Sequence, residues 1–331
     1  MSQGIDTIDT TSCRVAVLDD WQDAARASAD WSRLGARATL EFFGAPFAGE
    51  DEAADRLAPF DIILAMRERT PFPASLIRRL PRLRMFGLTG SRAALVDMAF
   101  MRDRGITVCL TDSGPGAEST AELALALMLA AARDIPAASA AARSGAFQRG
   151  TKPGMLLDGK TLGVIGLGKI GTRLAKFGNA LGMHVQAWSE NMTAERAAAA
   201  GAAFVPKDEL LATSDVVSLH LVLSERTLGL IGRDELAKMK PGAILVNTSR
   251  ANLVDEAALI EAVEAKRIVA ALDVFREEPL PVNHPLAHCR NAVLTPHLGY
   301  STQEVLAVFH AQQIENTLAY LDGKPIRTMT R

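Results

Sequence analysis

The chain has 331 residues, 48% hydrophobic and 22% charged, with a formal charge of −2 and a pI near 6.3, which gives room for two domains of about 100–200 residues each and no electrostatic reason to expect nucleic acid or a membrane surface as partner. The opening MSQGIDTIDTTS lacks a basic start and an apolar core and reads as a frayed tail rather than a secretory signal, and the longest apolar run, near 123–132, falls far short of the roughly 20 residues of a membrane span. Cys13, Cys109 and Cys289 show no CxxC spacing, a pattern that predicts reduced, buried thiols and a cytoplasmic location.

From Arg14 onward, strand-like and helix-like units alternate. Apolar runs bounded by turn signals at 14–20, 38–43, 61–66, 84–89 and 106–111 read as strands, the first ending in acids. Helical patterns lie at 23–34, 51–57, 74–80 and 95–104. Near-continuous apolar strands separated by helices predict a parallel sheet covered on both faces. SGPGAEST (113–120) breaks the series, and a long Ala/Leu helix follows over 119–142, its apolar surface wide enough to pack on more than one side. A second series begins at Lys160, with strands at 162–165, 184–188, 215–221, 243–248, 269–274 and 292–297 and helices at 170–181, 194–200, 207–213, 232–239 and 255–265. The last helix, 301–321, comes after this sheet is complete and is expected to return to the first domain.

The second series opens on KTLGVIGLGKIG (160–171), a short buried strand running into Gly166, Gly168 and Gly171 and then a helix. One glycine serves the tight turn, one lets the backbone approach a pyrophosphate, and one allows close packing of helix on strand. A lone GxGxxG is weak evidence; a strand before it and a helix after it supply the context of a dinucleotide site. The expectation is an α/β protein with two doubly wound parallel-sheet domains and a cleft between them. A Rossmann cofactor domain would occupy 114–300, and a discontinuous, flavodoxin-like substrate domain 1–113 plus 301–331.

Open parallel sheets bind ligands beyond the carboxyl ends of their strands. Arg250 follows ILVNTS, Asp273 ends VAALD, Glu278 lies in FREEPLP, and His297 ends VLTPH. Singly, each has a blander reading as a surface ion pair, a helix cap or a core histidine. Together they suit hydride transfer to a 2-keto acid. Arg250 offers a planar fork to a carboxylate and carbonyl, His297 a proton donor with its ordinary pKa near working pH, and Glu278 a carboxylate to orient the imidazole and favour its charged form.

At this point the chain resembles the NAD(P)-dependent D-isomer-specific 2-hydroxyacid dehydrogenases, which include 3-phosphoglycerate dehydrogenases and glyoxylate/hydroxypyruvate reductases. The resemblance runs through TGSRAALVD (89–97), STAELALALML (119–129), GLGKIG (166–171), DVVSLHLVLSERTLGLI (215–231), MKPGAILVNTSR (239–250), ALDVFREEPLP (271–281) and LTPHLGYST (294–302). It implies a catalytic triad of Arg250, Glu278 and His297, with Asp273 on the nicotinamide carboxamide and Thr120 beside the nicotinamide ring. It also implies a substrate carboxylate held by backbone amides around Gly90, Ser91 and Arg92, and a homodimer using the cofactor domain and the helix near 119–142. Gly166, Gly168, Lys169, Ile170 and Gly171, then Ser189, Glu190 and Asn191, and finally His220, Thr227 and Thr248 complete the expected cofactor set.

Four departures bear on specificity. Ser189 stands where an Asp often meets the adenosine ribose; Glu190 can take over the hydroxyls, and WSENMT holds no cation for a 2′-phosphate, so NAD is favoured, with NADP as the alternative. Arg92 replaces a glycine of the substrate loop and can reach a second anionic group or face solvent. Ala251 replaces the glycine after Arg250 and requires a backbone without positive φ, and Gly116 replaces an Asn before the long helix. In MRERTPFP (66–73), Arg67 or Arg69 is a candidate substrate contact beside the reading as a solvated loop charge. His284, His288 and Cys289 in HPLAHC mimic metal-ligand spacing, but the resemblance makes this a loop and no metal is expected. Two alternatives remain. A formate-dehydrogenase-like activity is opposed by Glu278, and a dinucleotide-sensing binding protein of the corepressor type keeps the same triad without significant turnover.

Overall fold

A computed structural model describes residues 13–90 and 95–329; the opening tail, 1–12, lies outside the described residues. The chain divides into two compact units, Met1–Pro115 with Thr302–Arg331, and Gly116–Ser301.

In the first unit β1 (Arg14–Val17), β2 (Thr39–Phe42), β3 (Ile62–Ala65), β4 (Met85–Leu88) and β5 (Thr107–Leu110) form a parallel sheet of order β2-β1-β3-β4-β5. Successive side chains point to opposite faces. Ala16, Ile63, Ala65, Phe86 and Leu88 therefore enter one core, and Val15, Val17, Ile62, Leu64 and Met85 the other. Burial on both sides is why these runs are continuously apolar rather than alternating. The C-terminal helix Gln303–Leu321 contributes Ile314 to the second core. Its buried amides reach strand-end carbonyls: Asn316 Nδ2 donates to Leu110 O at 2.9 Å and Gln313 Nε2 to Ala65 O at 3.4 Å, which limits the cost of desolvating them.

One helix is expected over 23–34, but the chain makes a single turn, Ala25–Ser28, and a 3-10 segment, Trp31–Arg37. Asp23 (φ 51°) and Gly35 (φ 51°) are left-handed, and Trp31 donates its indole N–H to Ala25 O at 2.7 Å. Seating the tryptophan in the core overrides the local helical pattern.

The second unit has seven parallel strands: β6 (Thr161–Ile165), β7 (His184–Trp188), β8 (Ala203–Phe204), β9 (Val216–Leu219), β10 (Ile244–Asn247), β11 (Val269–Leu272) and β12 (Ala292–Leu294). Their order is β12-β11-β10-β9-β6-β7-β8. β8, two exposed edge residues, is too short to carry a pattern and was not anticipated. Ile165 pairs with Trp188 on one side and Leu219 on the other. The chain leaves β6 in one direction and resumes in the opposite one at β9, so the carboxyl end of β6 is the topological switch point where such sheets bind ligands.

The helix expected over 119–142 is two, Gly116–Ala132 and Ile135–Arg143, bent by 62°. Asp134 is left-handed (φ 49°, ψ 41°) and Pro136 lies in the first turn of the second helix. There its missing N–H costs nothing, whereas it cannot extend the preceding helix. Pro285 likewise opens a short helix, Pro285–His288, where a loop is expected. Among the described residues no single helix is long and apolar enough to cross a membrane.

Candidate active site

β6 runs into the glycine turn and the helix Lys169–Ala180, whose first residues are Lys169 and Ile170. The three glycines are demanded by different things. A Cβ on Gly166, which has φ 101°, would lie 2.8 Å from His220 O, and one on Gly171 would lie 2.0 Å from Gly166 O. Both are required by the chain's own packing. A Cβ on Gly168 would meet nothing within 4 Å, so that side of the turn is an open cradle. The helix start has no side-chain cap, which suits an anionic group at its N–H groups.

Two further atoms fit the same ligand. Thr248 Oγ1, just past β10, and His220 Nδ1, just past β9, are buried without a hydrogen-bond partner, a condition that ligands or water normally relieve. His220 Nε2 is 2.9 Å from Ser218 Oγ, and burial pushes its pKa down to about 4, keeping the ring neutral. Thr227 instead closes its own turn, accepting from Ser224 N–H and donating to Val222 O, both at 2.8 Å. After β7, Met192 N–H donates to Ser189 O at 2.9 Å, which turns the Ser189-Glu190-Asn191 segment. Asn191 O accepts from Arg196 Nη1 at 3.2 Å. A cation therefore stands beside this turn although WSENMT contains none; it comes from the following helix, Ala194–Ala199.

Arg250 is set by β10. Buried Asn247 donates from Nδ2 to Arg250 O at 2.9 Å and accepts from Ser249 N–H at 3.0 Å, while Ser249 Oγ donates to Leu221 O at 2.6 Å. Arg250 Nη1 donates to Ser249 O at 2.8 Å. Ala251 opens the 3-10 turn Ala251–Leu253 and is not among the positive-φ residues, so alanine stands here without strain.

His297 Nδ1 is 2.7 Å from Glu278 Oε2, and Phe275 N–H donates to Glu278 Oε1 at 3.0 Å. The two side chains are 17% and 19% exposed, shielded enough for the carboxylate to fix the orientation of the ring through this contact. His297 itself has φ 55°, a region sparsely populated by residues other than glycine. Asp273, fully buried, holds it there. Its Oδ1 accepts from Thr295 Oγ1 at 2.6 Å and Leu298 N–H at 2.7 Å, and its Oδ2 from Gly299 N–H at 2.8 Å. Burial pushes the Asp273 carboxyl up in pKa against the pull of these three donors and of His297. Strained residues persist where their surroundings over-determine them. Ser119 and Thr120 hydroxyls add to the clamp, donating to Gly299 O at 2.8 and 2.9 Å. The Tyr300 ring packs edge-on to His297 at 6.1 Å. Sequence reasoning missed Asn247, Thr295 and Tyr300, and gave Asp273 only a cofactor role.

In the first unit, Gly90 (φ 74°) donates its N–H to Thr111 Oγ1 at 2.9 Å, and Arg67 N–H donates to Thr89 Oγ1 at 3.0 Å. The Arg67 side chain lies over this turn; a Cβ on Gly90 would be 2.8 Å from its Nη1. Ser91 and Arg92 lie outside the described residues. The three candidates in HPLAHC diverge. His284 Nδ1 accepts from Leu286 N–H at 3.3 Å with its Nε2 3.6 Å from Glu256, and His288 Nε2 is 2.8 Å from Val282 O. Among the described residues no three metal-ligating side chains converge. Cys13 and Cys109 are buried, with thiols pushed up to about 11, whereas Cys289 is half-buried.

Residues 125–299 match the family model for the NAD binding domain of D-isomer specific 2-hydroxyacid dehydrogenases. The chain is 40% identical to the D-3-phosphoglycerate dehydrogenase of Archaeoglobus fulgidus over 80% of its own length and 50% of that protein's. It is also 40% identical to the glyoxylate reductase of Aeropyrum pernix, over 75% of this chain and 76% of that one. The chain thus spans about half the length of the phosphoglycerate dehydrogenases it matches. A phosphoglycerate oxidoreductase structure from Vibrio cholerae superposes with a TM-score of 0.89 at 34% identity, covering 94% of this chain and 99% of that one.

Proposed function

The chain belongs to the D-isomer specific 2-hydroxyacid dehydrogenase family, and from that membership and the His297–Glu278 pair we propose that it catalyses hydride exchange between NAD and a small 2-keto acid or the corresponding D-2-hydroxy acid. The 2.7 Å contact between His297 Nδ1 and Glu278 is the observation that carries the reading. When bound at the glycine turn, with Thr248 and His220 as further contacts and the Ser189–Asn191 turn at its ribose, the dinucleotide supplies the hydride for reduction and accepts it in reverse.

The chain's own groups do the rest. Arg250 holds the substrate carboxylate and polarises the carbonyl through its guanidinium fork. As the carbonyl oxygen gains charge, His297 gives it a proton from Nε2, the ring nitrogen that Glu278 does not engage; in the oxidative direction the same nitrogen takes the proton back. Glu278 keeps the ring oriented through its contact with Nδ1. We assign substrate contacts in the first unit to the Gly90 turn and Arg67, together with Ser91 and Arg92.

NADH oxidation with glyoxylate, hydroxypyruvate and bulkier 2-keto acids should show turnover on at least one of them. His297→Ala should lower kcat by roughly 10²- to 10⁴-fold while NADH affinity, read by fluorescence titration, stays the same. Unchanged kcat would remove His297 from proton transfer, and NADH binding without turnover on any acid would overturn the enzymatic reading.

We further infer a homodimer formed through the segment 129–156. Family membership supports the assembly, and Leu129, Ile135, Phe147 and Leu156 leave between 38% and 76% of their surface exposed along this segment, apolar side chains that a second copy would cover. Sedimentation should give twice the 35.4 kDa chain mass, and Phe147→Asp should shift it to the monomer. A wild-type monomer at every concentration would refute the assembly.

A further inference from the structure

Asp19 follows β1 at the carboxyl edge of the first sheet. It is 8% exposed and left-handed, with φ 64°. The adjacent Asp20 behaves as an acid at a strand end ordinarily does: its Oδ1 accepts from Ala24 N–H at 2.8 Å and Ala25 N–H at 2.9 Å, local contacts at a helix start. Asp19 turns the other way. Its Oδ2 accepts from Met66 N–H at 3.2 Å and its Oδ1 from Thr70 Oγ1 at 2.7 Å. One buried carboxylate thereby brackets both ends of the five-residue turn after β3.

That turn reaches the candidate substrate residues directly. Arg67, next to Met66, donates its N–H to Thr89 Oγ1 and lays its side chain over Gly90. Arg69, next to Thr70, places its guanidinium 5.2 Å from the centre of the Trp21 ring, on the segment that follows Asp19. We propose that Asp19 is a positioning residue for substrate recognition, fixing the 66–70 turn so that Arg67 is held over the Gly90 turn. The inference rests on the reading of Arg67 and Gly90 as substrate contacts. Burial raises the Asp19 pKa to about 6, against Thr70, Met66 N–H and the charge of Arg69. Costs of that kind are found where a group sets functional geometry.

Asp19→Asn is a discriminating change. Asn tolerates the left-handed backbone and keeps one acceptor, but places an amide donor where the second acceptor was. The KM for the 2-keto acid should rise about tenfold, the equivalent of one charge-assisted hydrogen bond, while kcat and the KM for NADH change by less than roughly threefold. Amide hydrogens of 66–70 should exchange about tenfold faster, with β1 and β3 unaffected. Thr70→Val, which alters only a turn hydroxyl, should reproduce both effects, and the double variant should be no worse than Asp19→Asn alone. An unchanged KM for the acid would overturn the proposal, as would a joint loss of kcat, NADH affinity and thermal stability. If the wild-type protein turns over no 2-keto acid, the functional reading fails by itself. The exchange measurement then decides the anchoring: unaltered exchange in 66–70 overturns it, and faster exchange confined to that turn supports it.

Discussion

Asp19 and His310, both in the first unit, pull its stability in opposite directions as pH changes. Burial lowers the His310 pKa to about 4 although Asp20 pulls it up; the ring sits against Trp31, with Nδ1 2.6 Å from Ser28 Oγ. A histidine kept neutral in the fold contributes stability above its ordinary pKa of 6.5 that is lost as pH falls toward 4. Asp19 is the reverse case: its contribution is full below 3.8 and is lost as pH rises through about 6. At about 1.36 kcal/mol per pKa unit each effect is ~3 kcal/mol. Between pH 4 and 7, urea midpoints should therefore show Asp19→Asn gaining on wild type as pH rises, and His310→Gln gaining as pH falls. Parallel curves would mean that neither group titrates as its burial requires. The placement of Arg250, Glu278 and His297 just beyond strand ends was legible in the sequence because the apolar runs before them read as strands. Asp19 was not, since its partners lie 47 and 51 residues away and no local pattern encodes them. His297's left-handed backbone was hidden for the same reason, being imposed by Asp273 from another strand.

The strand, glycine turn and helix from Thr161 to Ala180 form the element the sequence described best. Each glycine is legible as part of the motif; which of them the fold needs and which it leaves open is visible only in three dimensions. Gly171→Ala forces a Cβ to within 2.0 Å of a backbone oxygen and should destabilise the protein by ~1–3 kcal/mol or more, as overpacking does. Gly168→Ala should leave the thermal midpoint unchanged and weaken NADH binding, because a methyl group would occupy the open cradle. Normal NADH affinity in Gly168→Ala would show that nothing approaches that turn. Other elements were misjudged at their punctuation. Pro136 and Pro285 each sit in a first helical turn, so a proline taken as interior or as a breaker in fact begins a helix. Apolar periodicity does not report a left-handed residue such as Asp134, and the two helices it separates read as one.

At the scale of the whole molecule, alternation of apolar runs and helical patterns foretold two parallel sheets, because strands buried on both faces have little choice of composition. It did not yield strand order, which depends on which way each crossover turns. The first unit is closed by residues from the far end of the chain: Ser28 meets His310, 282 positions later, Leu110 O meets Asn316 Nδ2, 206 later, and Thr328 bridges Cys109. The second unit, Gly116–Ser301, is a single uninterrupted stretch. On the ribosome, the sheet of the first unit precedes the second unit but has to wait with Val15, Ile62 and Met85 lacking their helix until all of the second unit has been synthesised, so of these two units the one begun earlier is the one completed later.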